Sequence, residues 1–217
     1  MTKRSQPKAL LRRYTSLPIL IDMLANKRVT FVDPTSWEDR NDSFFLERYR
    51  EFRGLKTVVA ICFTTRSDTF HHWKVFAGNP AGVCVRFDRD ALVARFDGVT
   101  GIRTGAVMYR RVRELSGERL QVEGLPFLKR KPFQDEAEFR IIYESEREAV
   151  HFKHFELDLE MIDSVMLSPW LPVAVLPSVR RVVHELLGST SIRVYRSSII
   201  DDSKWKATTE KLRRSSD

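Results

Sequence analysis

The order of elements along the chain predicts an α+β fold with mostly antiparallel sheets. Three observations carry that expectation. Short apolar runs of strand type outnumber helical patterns. The helices are inserted irregularly, without the βαβ rhythm of a parallel sheet. Neither an internal repeat nor a low-complexity linker divides the 217 residues. Residues 1–202 are expected to form one domain, followed by a polar, basic C-terminal tail at residues 203–217 that is prone to fray.

The elements follow in order. Residues 9–14 form a first strand. Ser16 caps a helix through residue 26, with Leu17, Leu20, Ile21 and Leu24 on one face and Pro18 in its first turn. Residues 28–32 are a second strand, followed by a polar, turn-rich loop over 33–42. Residues 57–64 are apolar enough to be a strand covered on both faces. A short helix at 68–77 stops at Gly78, and the turn after it enters a strand at 83–87. Asp88 caps a helix holding Ala91, Leu92 and Phe96. Further strands are expected at 104–109, 139–143, 151–157, 162–167 and 192–195. Pro177 opens an amphipathic helix lined by Val179, Val182, Val183, Leu186 and Leu187, which Gly188 ends.

Composition narrows the function. The formal net charge is +8, with hydrophobic residues at 42% and charged residues at 30%. No apolar run reaches membrane-spanning length, since residues 166–175 carry two prolines. Cys62 and Cys84 lie in apolar strands and read as free thiols, so a cytoplasmic protein is expected. Basic groups recur at Lys8, Arg12 and Arg13; at Arg110, Arg111 and Arg113; at Lys129, Arg130 and Lys131; and at Lys204, Lys206, Lys211, Arg213 and Arg214. A solvated surface explains some of them, and the excess favours a polyanionic partner such as nucleic acid. Glycine-rich phosphate loops and nucleophile elbows are absent from the sequence, and His71-His72 lacks metal-ligand spacing, so no metal is expected.

Residues 136–143 carry the densest chemistry. As one strand, they place Ala137, Phe139, Ile141 and Tyr143 on an apolar face and Glu136, Glu138 and Arg140 on the other. The two carboxylates then stand roughly 6.5–7 Å apart, a spacing for two separate tasks on one substrate. The competing reading is the solvated face of a half-buried strand, with Arg140 offsetting the acids. Glu138-Phe139-Arg140 also has the outline of a metal-dependent nuclease element, but Arg cannot serve as the base that a Lys would.

Three segments together resemble the ADP-ribosyltransferases: the basic strand Leu11-Arg12-Arg13-Tyr14-Thr15, the hydroxyl-bearing strand Ile61-Cys62-Phe63-Thr64-Thr65, and Glu136-Ala137-Glu138. Residues 11–200 also resemble a bacterial family catalogued as domain of unknown function 2971. That likeness runs through Arg13-Tyr14-Thr15-Ser16-Leu17, Asn41-Asp42, Cys62-Phe63-Thr64, Trp73 with Phe76-Ala77, residues 82–87 and Glu136-x-Glu138-x-Arg140. Ser43 stands where that family usually has proline, and Phe76 where it has tyrosine.

The resemblance implies split β-sheets and an NAD-dependent mono-ADP-ribosyltransferase, with NAD as substrate. It implies Glu138 facing the oxocarbenium-like sugar, Glu136 orienting or deprotonating the acceptor, and Arg13 on the dinucleotide phosphates. Thr64 and Thr65 would support the ribose. Trp73 or Tyr143 would stack on nicotinamide or an acceptor base, although Trp73, with Phe70 and Phe76 at helical spacing, fits core packing better, and Tyr14 fits packing and stacking equally. Nucleic acid is the expected acceptor, and a toxin or phage-defence effector with an antitoxin or other partner protein the expected setting. The alternatives are a non-catalytic nucleic-acid-binding or regulatory module and a metal-dependent nuclease.

Overall fold

The computed structural model describes residues 8–115, 120–188 and 191–213. In chain order the elements are β1 (Leu10–Ser16), α1 (Leu17–Ala25), β2 (Arg28–Val32), α2 (Arg40–Phe52), β3 (Thr57–Thr64), α3 (Phe70–Ala77), β4 (Gly82–Asp88), α4 (Arg89–Phe96) and β5 (Ile102–Ala106). There follow β6 (Met108–Arg110), α5 (Val112–Leu115), β7 (Leu128–Arg130), β8 (Glu138–Ser145), β9 (Phe152–Glu156), β10 (Ile162–Leu167), α6 (Leu176–Leu187), β11 (Arg193–Arg196) and α7 (Ser203–Arg213). The α+β class is as expected. Apart from the parallel pairs β10–β11 and β6–β7, the strands pair antiparallel. Among the described residues no helix is long and apolar enough to cross a membrane.

Strand β3 organises the sheet. One edge pairs with β8 along its whole length, from Thr57↔Ser145 to Thr64↔Glu138. The other edge is shared. Strand β1 meets it at Arg12↔Thr64 and β2 meets it at Val32↔Ala60, so the sheet splits between β1 and β2. Alternation along β3 sends Val59, Ile61 and Phe63 into the main core and Val58 and Ala60 into a second cluster. Helices α1, α4 and α6 cover the first face through Leu20, Leu24, Leu92, Phe96, Val183 and Leu187. On the other face, α2 packs Leu46 and Tyr49 beside Ala60 and Ile142, and α3 packs Trp73 and Ala77 against Cys84 and Met166. Strand β3 is therefore buried on both sides, which is why its sequence is nearly continuous in apolar residues.

Four local expectations change. Residues 33–42 are not all loop: a 3₁₀ turn occupies Pro34–Ser36, and α2 begins at Arg40. The Asp39 side chain caps that helix by accepting from the Asn41 and Asp42 N–H groups. Ser16 stands at the start of α1 but makes no side-chain cap; the Leu17 N–H goes instead to the Ala81 carbonyl at 2.7 Å. The segment expected as a tail starts with helix α7, and residues 214–217, Arg214 among them, lie outside the described residues. Finally, Glu136 is not on β8. It ends a 3₁₀ helix (Lys131–Glu136), and Ala137 turns the chain with φ of 42° before the strand starts at Glu138. A non-glycine residue in that region costs about 1–2 kcal/mol, so the surroundings must hold it there.

Candidate functional site

The split beside β3 opens into a cleft of about 420 Å³, within the size range of small-molecule sites. Its lining includes Ala60, Cys62 and Thr64, the alternate residues of β3. One wall is the start of α2 and the turn before it (Trp37, Asp39, Asp42), and the other is α3 (His72, Val75, Phe76). Arg12, Arg13 and Tyr14 enter from β1, and Lys129, Phe133, Glu136 and Glu138 close the far side.

Of the residues singled out in the sequence, Arg13, Tyr14, Thr64, Glu136 and Glu138 line this one cleft. Adjacency explains it: Arg12, Thr64 and Glu138 stand in register on three neighbouring strands. Arg13 reaches the Cys62 carbonyl, to which its Nη1 donates at 3.0 Å. Tyr14 sits edge-on to Trp73, with ring centroids 5.1 Å apart.

The remaining three residues are elsewhere. Trp73 is fully buried and donates its indole N–H to Asp68, so it is core and not a stacking platform. Tyr143 packs on Phe155 and donates to Glu148, outside the cleft lining. Thr65 is exposed and also outside the lining, and its hydroxyl donates to the Ala137 carbonyl at 3.1 Å. Thr64 also acts through the backbone, donating to the Glu136 carbonyl at 2.5 Å. His72 Nε2 lies 3.2 Å from that same carbonyl, which can only accept, so Nε2 carries the proton and Nδ1 accepts from Thr69. Both threonines thus brace the left-handed turn at Ala137, and that turn aims Glu136 into the cleft.

Glu138 and Arg140 do not face solvent. Their side chains are 6% and 0% exposed. Arg140 Nε donates to Glu138 Oε1 at 2.7 Å, and its two Nη atoms hold Asp42 at 3.0 and 2.7 Å. Its guanidinium also donates to the Pro126 carbonyl at 2.8 Å and lies 4.9 Å from the Trp37 ring centroid. Lys129, expected as part of a surface charge group, is 9% exposed in its side chain; its Nζ lies 2.6 Å from Glu136 Oε2 and 3.4 Å from Glu138 Oε2. Asp42, Lys129 and Cys62 are therefore site residues that the sequence reading did not assign. The one signal for Asp42 was its place in the Asn41-Asp42 motif.

The surroundings push the two glutamates in opposite directions. Burial alone would raise Glu138, but Arg140 and Lys129 outweigh it and hold the carboxyl at about 2. Glu136 ends up above its ordinary value, because burial exceeds the help from Lys129. Burial also raises Asp42, against the pull of Arg140, and drives the Cys62 thiol well up. Near neutral pH the cleft therefore presents a permanently charged Glu138 beside a Glu136 closer to taking up a proton. Among the described residues no group of three or more His, Cys, Asp and Glu side chains is arranged to hold a metal.

No protein-family model and no curated protein matches the chain, so membership of domain of unknown function 2971 remains an expectation. Similar solved structures include DarT of Thermus sp. 2.9. Its complex with carba-NAD+ is 10% identical, with 89% of this chain and 97% of that chain covered at a TM-score of 0.44. Its complex with ADP-ribosylated ssDNA is 13% identical, with 90% and 98% covered at a TM-score of 0.45.

Proposed function

We propose that the chain is an NAD-dependent mono-ADP-ribosyltransferase acting on nucleic acid. The observation that carries this reading is the meeting of Arg13, Glu136 and Glu138 in one cleft of ligand size. In the transfer, the bond between nicotinamide and C1′ of the ribose breaks, and nicotinamide leaves with the bonding electrons. Glu138, ionised across the neutral range, faces the positive charge that develops on the sugar. The acceptor nucleophile then bonds to C1′, and its proton passes to Glu136. The guanidinium of Arg13, and that of Arg12 beside it, suits the pyrophosphate.

What supports a nucleic-acid acceptor is the lip of the cleft. Helix α3 leaves Phe70, Val75 and Phe76 exposed, and Lys74 Nζ lies 4.5 Å from the Trp170 ring centroid. Exposed rings for bases and cations for phosphates are the usual needs of a single strand.

Incubation of the protein with labelled NAD and single-stranded DNA or RNA tests the reading. Label transfer and nicotinamide release are expected, and Glu138→Gln should cut both by about 10²-fold or more. Acceptor binding should weaken steeply as salt rises. Wild-type protein that does neither with any acceptor overturns the transfer reaction. The non-catalytic binding module is then the better account, and one observation favours it: Arg140 and Lys129 already engage both Glu138 oxygens.

A further inference from the structure

Lys129 is an unusual place to spend a buried ammonium. Its Nζ sits among four carboxylates: Glu136 at 2.6 Å, Glu138 and Asp42 at 3.4 Å each, and Asp39 at 4.0 Å. The Phe133 ring covers it at 5.0 Å. Glu138 and Asp42 are each also held by Arg140, at 2.7 Å. Glu136, on its strained turn, is not within that guanidinium's reach as an ion pair, and its shortest charged contact is with Lys129.

We propose that Lys129 is the positioning residue for Glu136, keeping that carboxylate charged and aimed into the cleft so that it can accept the proton of the incoming nucleophile. The proposal rests on the transfer reaction assigned above. The groups around Glu136 come from several neighbouring elements, with Arg12 and Arg13 of β1 lining the same cleft. Asp42 on α2 and Glu138 on β8 are negative and favour its neutral form, and Asp39, the cap of α2, adds a third carboxylate beside Lys129. Lys129 on β7 opposes them. Arg140 lies behind Glu138, and the Tyr109 hydroxyl on β6 accepts the Glu138 N–H at 2.9 Å. His72 and Thr64 hold the Glu136 carbonyl and not its carboxylate. Lys129 therefore opposes three acids, and the Asp39 Oδ2 atom among them accepts no hydrogen bond.

Removing the lysine charge leaves those acids unopposed, so Glu136 takes up its proton at a higher pH. The experiment is the pH profile of nicotinamide release for the wild type, Lys129→Met, Lys129→Arg and Glu136→Gln. In Lys129→Met the acid limb should move up by about one pH unit or more, the usual effect of losing an opposite charge in contact. The loss is then tenfold or greater on the acid side and shrinks as pH rises. Lys129→Arg should keep the limb near its wild-type place, and Glu136→Gln should lack it. A loss in Lys129→Met that is equal at every pH means that the lysine only supports the fold, and overturns the proposal.

Carbon-13 carboxyl titration of Glu136 gives a second readout that needs no turnover. An upward shift in Lys129→Met supports the pairing even where wild-type protein shows no transfer, and an unmoved titration overturns it. If Lys129→Met does not fold, Lys129→Gln, which keeps a hydrogen-bond donor, takes its place in both measurements.

Discussion

The two faces of β8 are buried to the same depth by opposite means. Ile141 and Arg140 are neighbours in sequence, and both are 0% exposed. On the first face, Phe139 and Ile141 lie across from Phe63 and Ile61 and join the main core. On the second, Glu138 and Arg140 lie across from Thr64 and Cys62, beneath α2 and Lys129. Apolar burial gains free energy contact by contact, so the first face should lose stability gradually as it is trimmed. Charges removed from water depend on their partners, so the second face should fail abruptly when one member is lost. A polar face on a strand is not a solvated face once a helix lies over it.

Breaking the charged face should give the largest effect. Arg140→Met takes from Glu138 and Asp42 their closest cation, leaving only the longer contacts with Lys129, and should cost about 3–5 kcal/mol in urea unfolding. Adding Glu138→Gln and Asp42→Asn should recover part of that loss, because fewer charges remain buried and unpaired. Recovery would separate the cost of an orphaned charge from that of lost packing.

Acid sharpens the same contrast without mutation. Glu138 is held near 2 in the fold, below its ordinary value of 4.5. Its contribution to stability is therefore complete above about 4.5 and is lost as pH falls toward 2. Glu136 and Asp42 are raised, so they favour the fold as pH drops through the ordinary carboxylate range and offset part of that loss. Thermal melts from pH 6 to pH 2 should fall most steeply at the low end. Glu138→Gln should flatten that fall.

Smaller changes are expected on the apolar face and at the exposed end of the strand. Ile141→Val removes one methylene from the core and should cost about 0.5–1.5 kcal/mol by the same urea measurement. Lys153→Ala breaks the pair with Glu148 beside Tyr143, where the two side chains are 30% and 38% exposed. Its cost should be about 0–1 kcal/mol and should shrink further in salt. A Lys153 effect rivalling that of Arg140 would contradict the claim that burial, and not charge pairing itself, makes the second face brittle.

Much of the framework was legible because it follows from local pattern. The bounds of β2, β3 and β10 coincide with the strands expected at residues 28–32, 57–64 and 162–167. Helix α6 ends at Gly188, whose φ of 63° is what a left-handed cap requires. Asp88 caps α4 as its residue type suggests. Helix α2 was hidden because its apolar contacts are sparse in a charged segment, and only burial against Ala60 and Ile142 reveals its inner side.

The site divides along the same line. The residue types, their chain order and the strands that carry Arg13, Thr64 and Glu138 come from the sequence, and the adjacency of β1, β3 and β8 that brings them together comes from the sheet. Tertiary structure decided the rest. Asp42 meets Arg140 across 98 residues, and Thr64 meets the Glu136 carbonyl across 72. No local spacing encodes such contacts. The left-handed turn at Ala137 likewise exists because Thr64, Thr65 and His72 hold its carbonyls. That turn lifts Glu136 off the strand, and only the folded chain can place Lys129 against it.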